Sequence, residues 1–209
     1  LFYGYVTQGI VQKEDITENG IKYIKQDGSV GYYQTVNKTT PVAGDVKYVD
    51  RNGDGVVDDN DRDIIGNPNP DFTYGFQTKV SWKSLSLSAS FNGVQGRDIL
   101  NVGNRYNNTP GTKSNNVTRK AFQNMWTDEN PSNLYPKSTF VVQNMVMDRY
   151  VEDGSYLRCS DITLSYVLPA KWTNKIGIKN TSVYASVKNA FVITDYSGYD
   201  PEVNSFAFD

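Results

Sequence analysis

The sequence predicts an all-β chain of antiparallel strands, and three observations carry that expectation. Composition is the first: 22 Val and 11 Ile stand against 8 Leu and 7 Ala, with 15 Tyr and 9 Phe beside them. β-Branched and aromatic side chains fit a pleated, half-buried surface better than a helix. The second is the supply of turn formers, 17 Gly, 21 Asn and 8 Pro, enough for many long loops. The third is period-two alternation of apolar and polar residues over stretches of about ten residues. At 209 residues the chain is long enough for one large domain or two small ones. Its longest apolar run, Ala190 to Ile193, falls far short of the roughly 20 residues of a spanning helix. A transmembrane barrel survives that test, because alternating strands keep hydropathy low.

The first element is a hairpin. Phe72, Tyr74, Phe76, Thr78, Val80 and Trp82 share one face, and Thr73, Gly75, Gln77, Lys79, Ser81 and Lys83 the other. After a tight turn at Lys83-Ser84 the pattern resumes, with Leu85, Leu87, Ala89 and Phe91 opposing Ser86, Ser88, Ser90 and Asn92. Gly93-Val94-Gln95-Gly96 lacks the spacing of a dinucleotide loop and reads as a strand end. Residues 95–154 then read as a long Asn-, Pro- and Gly-rich loop of the kind that is usually functional, with a short helix over residues 121–126. A second pair follows. Ile162, Leu164, Tyr166 and Leu168 alternate with Asp161, Thr163, Ser165 and Val167; Val183, Ala185 and Val187 alternate with Tyr184, Ser186 and Lys188.

Two environments produce such strands. A sandwich buries the apolar face, whereas a barrel turns it to lipid and keeps the polar face in the lumen. The alternation alone leaves both open. One very short and one very long connection, aromatics at both ends of the first strand, and a small hydrophilic row (Ser86, Ser88, Ser90) favour the barrel.

Several chemistries are excluded. The chain has no His, so His-dependent triads and His-ligated zinc are ruled out within it. Its single Cys forbids an internal disulfide. A net charge of −2 offers no basic face for nucleic acid. Leu1-Phe2-Tyr3-Gly4-Tyr5 shows no signal peptide, and the chain reads as a fragment. Asp153, Asp161 and Asp200 lack the spacing of a glycosidase pair and read as solvated loop acids. Cys159 falls on the polar parity of its strand as an ordinary small residue. Asn37, Asn107, Asn116 and Asn180 open Asn-x-Ser/Thr triplets that an Asn-rich chain produces by chance.

One motif does carry chemistry. Residues 50–61, DRNGDGVVDDND, fit a calcium loop, with oxygen ligands at positions 1, 3, 5, 9 and 12 and Gly at 6. Asp50, Asn52, Asp54, Asp58 and Asp61 would supply side chains, Val56 its carbonyl, and Val57 would point inward as an anchor. Asp rather than Glu at position 12 shortens the bidentate reach. The expected cofactor is one structural Ca²⁺. The competing reading is an Asp/Asn/Gly surface turn that matches by composition.

Several blocks, in order along the chain, resemble the C-terminal barrel region of the SusC/RagA family of TonB-dependent outer-membrane transporters. Tyr3-Gly4-Tyr5-Val6-Thr7-Gln8-Gly9-Ile10 is similar to the family's G-Y-x-T-D-G-I-F segment, with Gln8 in place of Asp and Val11 in place of Phe. Gly44-Asp45-Val46-Lys47-Tyr48-Val49-Asp50, the loop after it, and Ile65-Gly66-Asn67-Pro68-Asn69-Pro70-Asp71-Phe72 resemble its most recognisable block. Trp126 with Glu129-Asn130-Pro131 and Tyr135-Pro136 follows the W-T-x-E-N-P…Y-P pattern. Val151-Glu152-Asp153-Gly154-Ser155-Tyr156-Leu157-Arg158 and Tyr196-Ser197-Gly198-Tyr199-Asp200-Pro201-Glu202 resemble the blocks around the last strands.

The resemblance implies a plugged barrel of about 22 strands, of which residues 1–209 would be a C-terminal portion of four or five strands lacking the plug, the Ton box and the final strand. It implies long extracellular loops, short periplasmic turns and an outer-membrane location. It further implies a SusD-like lipoprotein partner, energy from TonB–ExbB–ExbD, glycan or oligopeptide cargo, and no enzymatic activity. The alternative is a secreted soluble β-domain with a dockerin-like calcium loop, acting in glycan binding or scaffolding; one loop rather than two counts against it.

Overall fold

The structure, a computed structural model, describes residues 1–109, 116–138, 145–178 and 181–202. Its longest elements form one antiparallel four-stranded sheet: β1 (Phe72–Trp82), β2 (Leu85–Gln95), β3 (Tyr156–Val167) and β4 (Ser182–Thr194), adjacent in that order. The β1–β2 register is unbroken from Phe72↔Gln95 to Trp82↔Leu85. Only Lys83 and Ser84 separate the two arms, and Lys83 takes a left-handed φ of 54°, as so short a connection demands.

The alternation becomes two faces. Phe76, Val80, Trp82 and Leu87 stand 52%, 65%, 69% and 47% exposed. On this same face Phe76 stacks on Phe91 with centroids 4.7 Å apart. The Tyr74 ring lies over Gly93, where a Cβ would come within 2.4 Å of it, so an aromatic covers the bare backbone of its cross-strand glycine. The opposite face is a polar lattice. Gln77 Nε2 donates to Ser90 Oγ at 2.9 Å, and the Ser81 and Ser86 hydroxyls meet at 2.9 Å. Lys188 pairs with Asp161 at 2.9 Å, beside Thr163 and Ser186. No described segment packs a hydrophobic core against the apolar face, which is what a lipid-facing wall looks like. The sheet is open; four strands do not close a barrel.

One register expectation is corrected. Cys159 pairs with Phe91 on one side and Phe191 on the other, with register shifts between Ser90/Phe91 and between Cys159/Asp161. The irregularity inserts one residue and reverses parity along β3. Cys159 therefore lies on the apolar face, fully buried, between two rings whose centroids are 6.4 Å apart.

The buried core lies elsewhere. Residues 1–66, with parts of 98–153, fold into a cap of very short strands. Phe2–Gly4 pairs with Asp63–Gly66, Thr7–Ile10 with Val46–Tyr48, and Thr35–Val36 runs parallel to Val56–Val57. Ile16–Thr17, Gly20–Ile24 and Val30–Tyr33 form a three-stranded sheet. Their inward side chains, Tyr5, Tyr23, Tyr33, Tyr48, Val11, Val36 and Val57 among them, join Met145, Met147 and Tyr150 in one cluster. Buried tyrosines need hydroxyl partners. Tyr5 donates to Asp59 Oδ1 at 3.0 Å, Tyr23 to the Asp50 carbonyl at 2.6 Å, and the Tyr33 hydroxyl accepts the Tyr48 N–H at 3.1 Å.

The segment read as a long loop, residues 95–154, is more ordered than expected. Asp98–Leu100 pairs with Val151–Asp153. Two helices follow, Val102–Asn108 and Arg119–Asn124, the second overlapping the one expected over 121–126. Asn101 and Thr118 cap them, accepting the backbone N–H of Asn104 at 2.8 Å and of Ala121 at 3.1 Å. The β3–β4 connection holds a short helix at Ala170–Thr173; Asn180, which opens one of the Asn-x-Ser/Thr triplets, lies outside the described residues.

Candidate functional site

The loop at residues 50–61 sits on the cap and is nailed to its core. Val57 is fully buried, as its anchor position predicts. Gly55 adopts φ 86°, the left-handed turn that position 6 requires. Asp50 accepts the N–H of Gly53 at 2.6 Å and of Gly55 at 2.8 Å. Asn52 Oδ1 accepts from Asp54 N–H, Asp54 Oδ1 from Val56 N–H and Asp58 Oδ1 from Asn60 N–H, all at 2.8–2.9 Å.

Asp61, at position 12, is held by backbone amides as Asp50 is at position 1. It is fully buried, with Oδ1 accepting from Arg51 and Asn52 N–H at 2.8 and 3.2 Å and Oδ2 from Asp58 N–H at 2.8 Å. Both oxygens are thus engaged in closing the loop on itself. Among the described residues no three acidic or Cys side chains converge as a metal-binding group. The loop residues present a calcium-type turn with Asn52 and Asp54 exposed at its mouth and backbone amides bonded to the carboxylates within it. Burial pushes the Asp50 carboxyl up, against the Gly55 and Gly53 amides that lower it, and the charges of Asp61 and Asp54 add to the rise. Burial, with the charges of Asp50 and Asp61, raises the Tyr23 phenol to about 12, so Tyr23 remains a hydrogen-bond donor to the loop across the neutral range.

The other carboxylates do not form a pair. Asp153 accepts the Ser155 N–H at 2.8 Å, Asp161 is held by Lys188, and Asp200 by Arg158. The Arg158 cluster was not legible beforehand. On the polar face, Arg158 Nη2 meets Asp200 Oδ1 at 2.6 Å and its Nε meets Glu202 Oε1 at 3.1 Å; Asn92 Nδ2 also donates to Glu202, at 3.0 Å. Behind it Glu152 accepts from Asn101 and Asn104 side chains at 3.0 and 2.9 Å and from the Ser197 N–H and hydroxyl at 2.8 and 2.9 Å. Burial pushes the Glu152 carboxyl up, and these four donors together bring it below the ordinary glutamate range. Residues 195–202 are therefore tied back both to the cap and to the inner face of the wall. The periodicity gave no signal for this, since it depends on Asp200 and Glu202 meeting residues more than 40 positions away.

No family model matches the chain. It is 34% identical over 170 residues to TonB-dependent receptor P26 of Formosa agariphila, covering 79% of this chain and 17% of that protein. It is 32% identical over 204 residues to TonB-dependent receptor P3 of the same organism, covering 97% and 18%. To TonB-dependent receptor SusC of Bacteroides thetaiotaomicron it is 34% identical over 165 residues, covering 76% and 15%. The chain thus spans less than a fifth of these relatives' length. Among solved structures, the RagAB peptide importer in its closed-closed state superposes with a TM-score of 0.64 at 23% identity, over 96% of this chain and 20% of that one. The open-open state gives 0.63 at 25%, over 96% and 19%. The relatives are receptors and transporters rather than enzymes, in line with the expectation of no catalytic centre.

Proposed function

Because this chain belongs to the SusC/RagA family of TonB-dependent receptors of the outer membrane, we propose that it is the wall-and-cap portion of an active importer for glycans or oligopeptides. The observation that carries the reading is the two-faced sheet: an apolar face left bare for lipid, backed by a hydrogen-bonded polar face suited to a wet lumen. The cap stands at the end of the wall opposite the Lys83-Ser84 turn, where an extracellular vestibule would be. In this reading a SusD-like lipoprotein closes over the cap and TonB–ExbB–ExbD supplies the energy. A secreted soluble domain finds no support, since it would have to cover Phe76, Val80 and Leu87.

The loop at residues 50–61 is proposed as a structural calcium site. Asp50, Asn52, Asp54, Asp58 and Asp61 would face the ion with side chains and Val56 with its carbonyl, and the amides on Asp61 would also hold the turn closed. Support comes from Gly55 and Val57 at their expected positions and from five aspartates in one twelve-residue turn.

The test is genetic and biochemical. Deleting the full-length receptor should abolish uptake of labelled oligosaccharides or oligopeptides, as should removal of TonB. The tagged receptor should retain a surface lipoprotein through purification in mild detergent. Uptake that is unchanged by deletion would overturn the proposal.

A further inference from the structure

We propose that the cleft between the two cap helices is a subsite for an oxyanion, a carboxylate or sulfate group. The cleft has a volume of about 200 Å³ and is lined by Lys120, Tyr135 and Arg149 together with Asn104 and Asn108. That is below the roughly 300–1,000 Å³ of a whole-ligand pocket, so the cleft suits one charged group of a larger molecule.

Arg149 carries the argument. Its guanidinium packs over the Tyr150 ring, 5.7 Å from the centroid, and its Nη2 donates to the Leu134 carbonyl. Its Nη1 is buried without a hydrogen-bond partner. Leaving a buried charged N–H unpaired is costly, and such an orphan in a native fold asks for an explanation. Among the described residues, no ion pair includes Arg149 or Lys120.

The acid bonded to the lining Asn104 and the acid that precedes Arg149 in the chain are committed elsewhere. Glu152 is held by its Asn and Ser donors, and both oxygens of Asp148 accept from Thr7. The two asparagines are spent on structure. Asn108 donates to Asn104, Asn104 donates to Glu152 at 2.9 Å, and Asn108 Oδ1 accepts the Thr118 hydroxyl at 2.5 Å. The cleft lining thus brings together a guanidinium, an ammonium and a phenol, and among the described lining residues there is no carboxylate. Charge-assisted hydrogen bonds from such a set favour an oxyanion.

Assigning that anion to imported cargo rests on the transport reading; the affinity itself does not. The probes are acetate and methyl sulfate, with acetamide as the neutral control, observed by saturation transfer from the full-length receptor in detergent to their methyl protons. Saturable transfer to at least one anion and none to acetamide is expected, weakening as salt rises. Arg149→Met should weaken it at least about ten-fold, the loss of one charge-assisted hydrogen bond. Lys120 is exposed, so Lys120→Met leaves the fold intact and should weaken binding several-fold. Stronger acetate binding identifies a peptide terminus or uronate as the source, and stronger methyl sulfate binding a sulfated glycan. Anions that behave like acetamide, or that bind equally to both variants, overturn the subsite. A receptor that imports normally yet binds neither anion refutes the subsite alone; anion binding by a receptor whose deletion spares uptake refutes the transport reading alone.

Discussion

Tyr33 and Val57 in the cap and Phe76 and Val80 in the wall are comparable apolar residues on β-strands, yet the first two are fully buried and the second two more than half exposed. The cap folds as a water-soluble domain does, with apolar groups inward and the hydroxyls of its buried tyrosines given partners. The wall inverts that order, placing its serines, Thr163 and Lys188 on the polar side of a curtain of aromatics. The difference teaches that alternation specifies a two-faced sheet, while the medium decides which face is exposed. A mutation of one chemical kind should therefore have opposite consequences in the two regions.

The largest effect is expected in the cap core. Tyr33→Ala removes a fully buried ring and the hydroxyl that accepts the Tyr48 amide. A loss of roughly 3–5 kcal/mol is expected for emptying an aromatic site. Hydrogen exchange on the full-length receptor should show faster exchange across residues 1–66 and unchanged protection in β1 and β2. Equal deprotection of both regions would mean that cap and wall are one cooperative unit and would dissolve the contrast.

The wall should respond to charge instead. Leu87→Arg, on the apolar face two residues beyond the start of β2, should cost up to about 2–4 kcal/mol in a bilayer, the full figure being that of the midplane. Ser88→Arg, one residue along and facing the polar side, should be tolerated. Denaturant titration of the receptor in lipid vesicles measures both. Comparable losses from the two variants would break the assignment of faces.

The wall was legible in the sequence and the cap was not, for a physical reason. Ten-residue strands give period two enough repeats to be recognised, and a single two-residue turn fixed the first hairpin. The cap's strands run two to five residues, too short for any period to emerge, and its core joins residues as far apart in the chain as Tyr5 and Tyr150. Cys159 marks the limit even within the wall, because one inserted residue reverses parity without leaving a trace in composition. In the loop, the left-handed turn at Gly55 and the burial of Val57 were readable from fixed offsets. The roles of Tyr23 and Glu152 depend on contacts that no offset encodes.

A smaller effect separates the two regions by pH. Glu152 joins cap to wall through Ser197, and its donors hold the carboxyl below the ordinary glutamate range of about 4.3. A depressed carboxylate contributes stability that is fully present above its unfolded value and is lost as pH falls through the folded one. Residues 195–199 should therefore keep their protection at neutral pH and down to the ordinary glutamate range, then lose it under stronger acid. Glu152→Gln should show faster exchange there already at pH 7, with little change in the Tyr33 cluster. If acid instead loosens the cap core first, Glu152 is not the tie.

The smallest effect is expected from removing calcium. Five carboxylates in a twelve-residue turn repel one another unless a cation or backbone amides compensate them, and here the amides of Gly53, Gly55, Val56 and Asn60 already do part of that work. Asp61, with three amide donors, fastens the turn whether or not an ion is bound, and Tyr23 and Val57 hold it from the core. A chelator should consequently raise protease cleavage within residues 50–61 by only a few-fold and leave β1 intact. Asp54→Ala should reproduce that increase and abolish any further response to chelator, since Asp54 lies at the open mouth of the turn. Asp61→Ala should do more than either, because it removes the staple itself. Should chelator and Asp54→Ala both leave cleavage unchanged while Asp61→Ala opens the loop, the turn is held by its own amides and the calcium assignment falls.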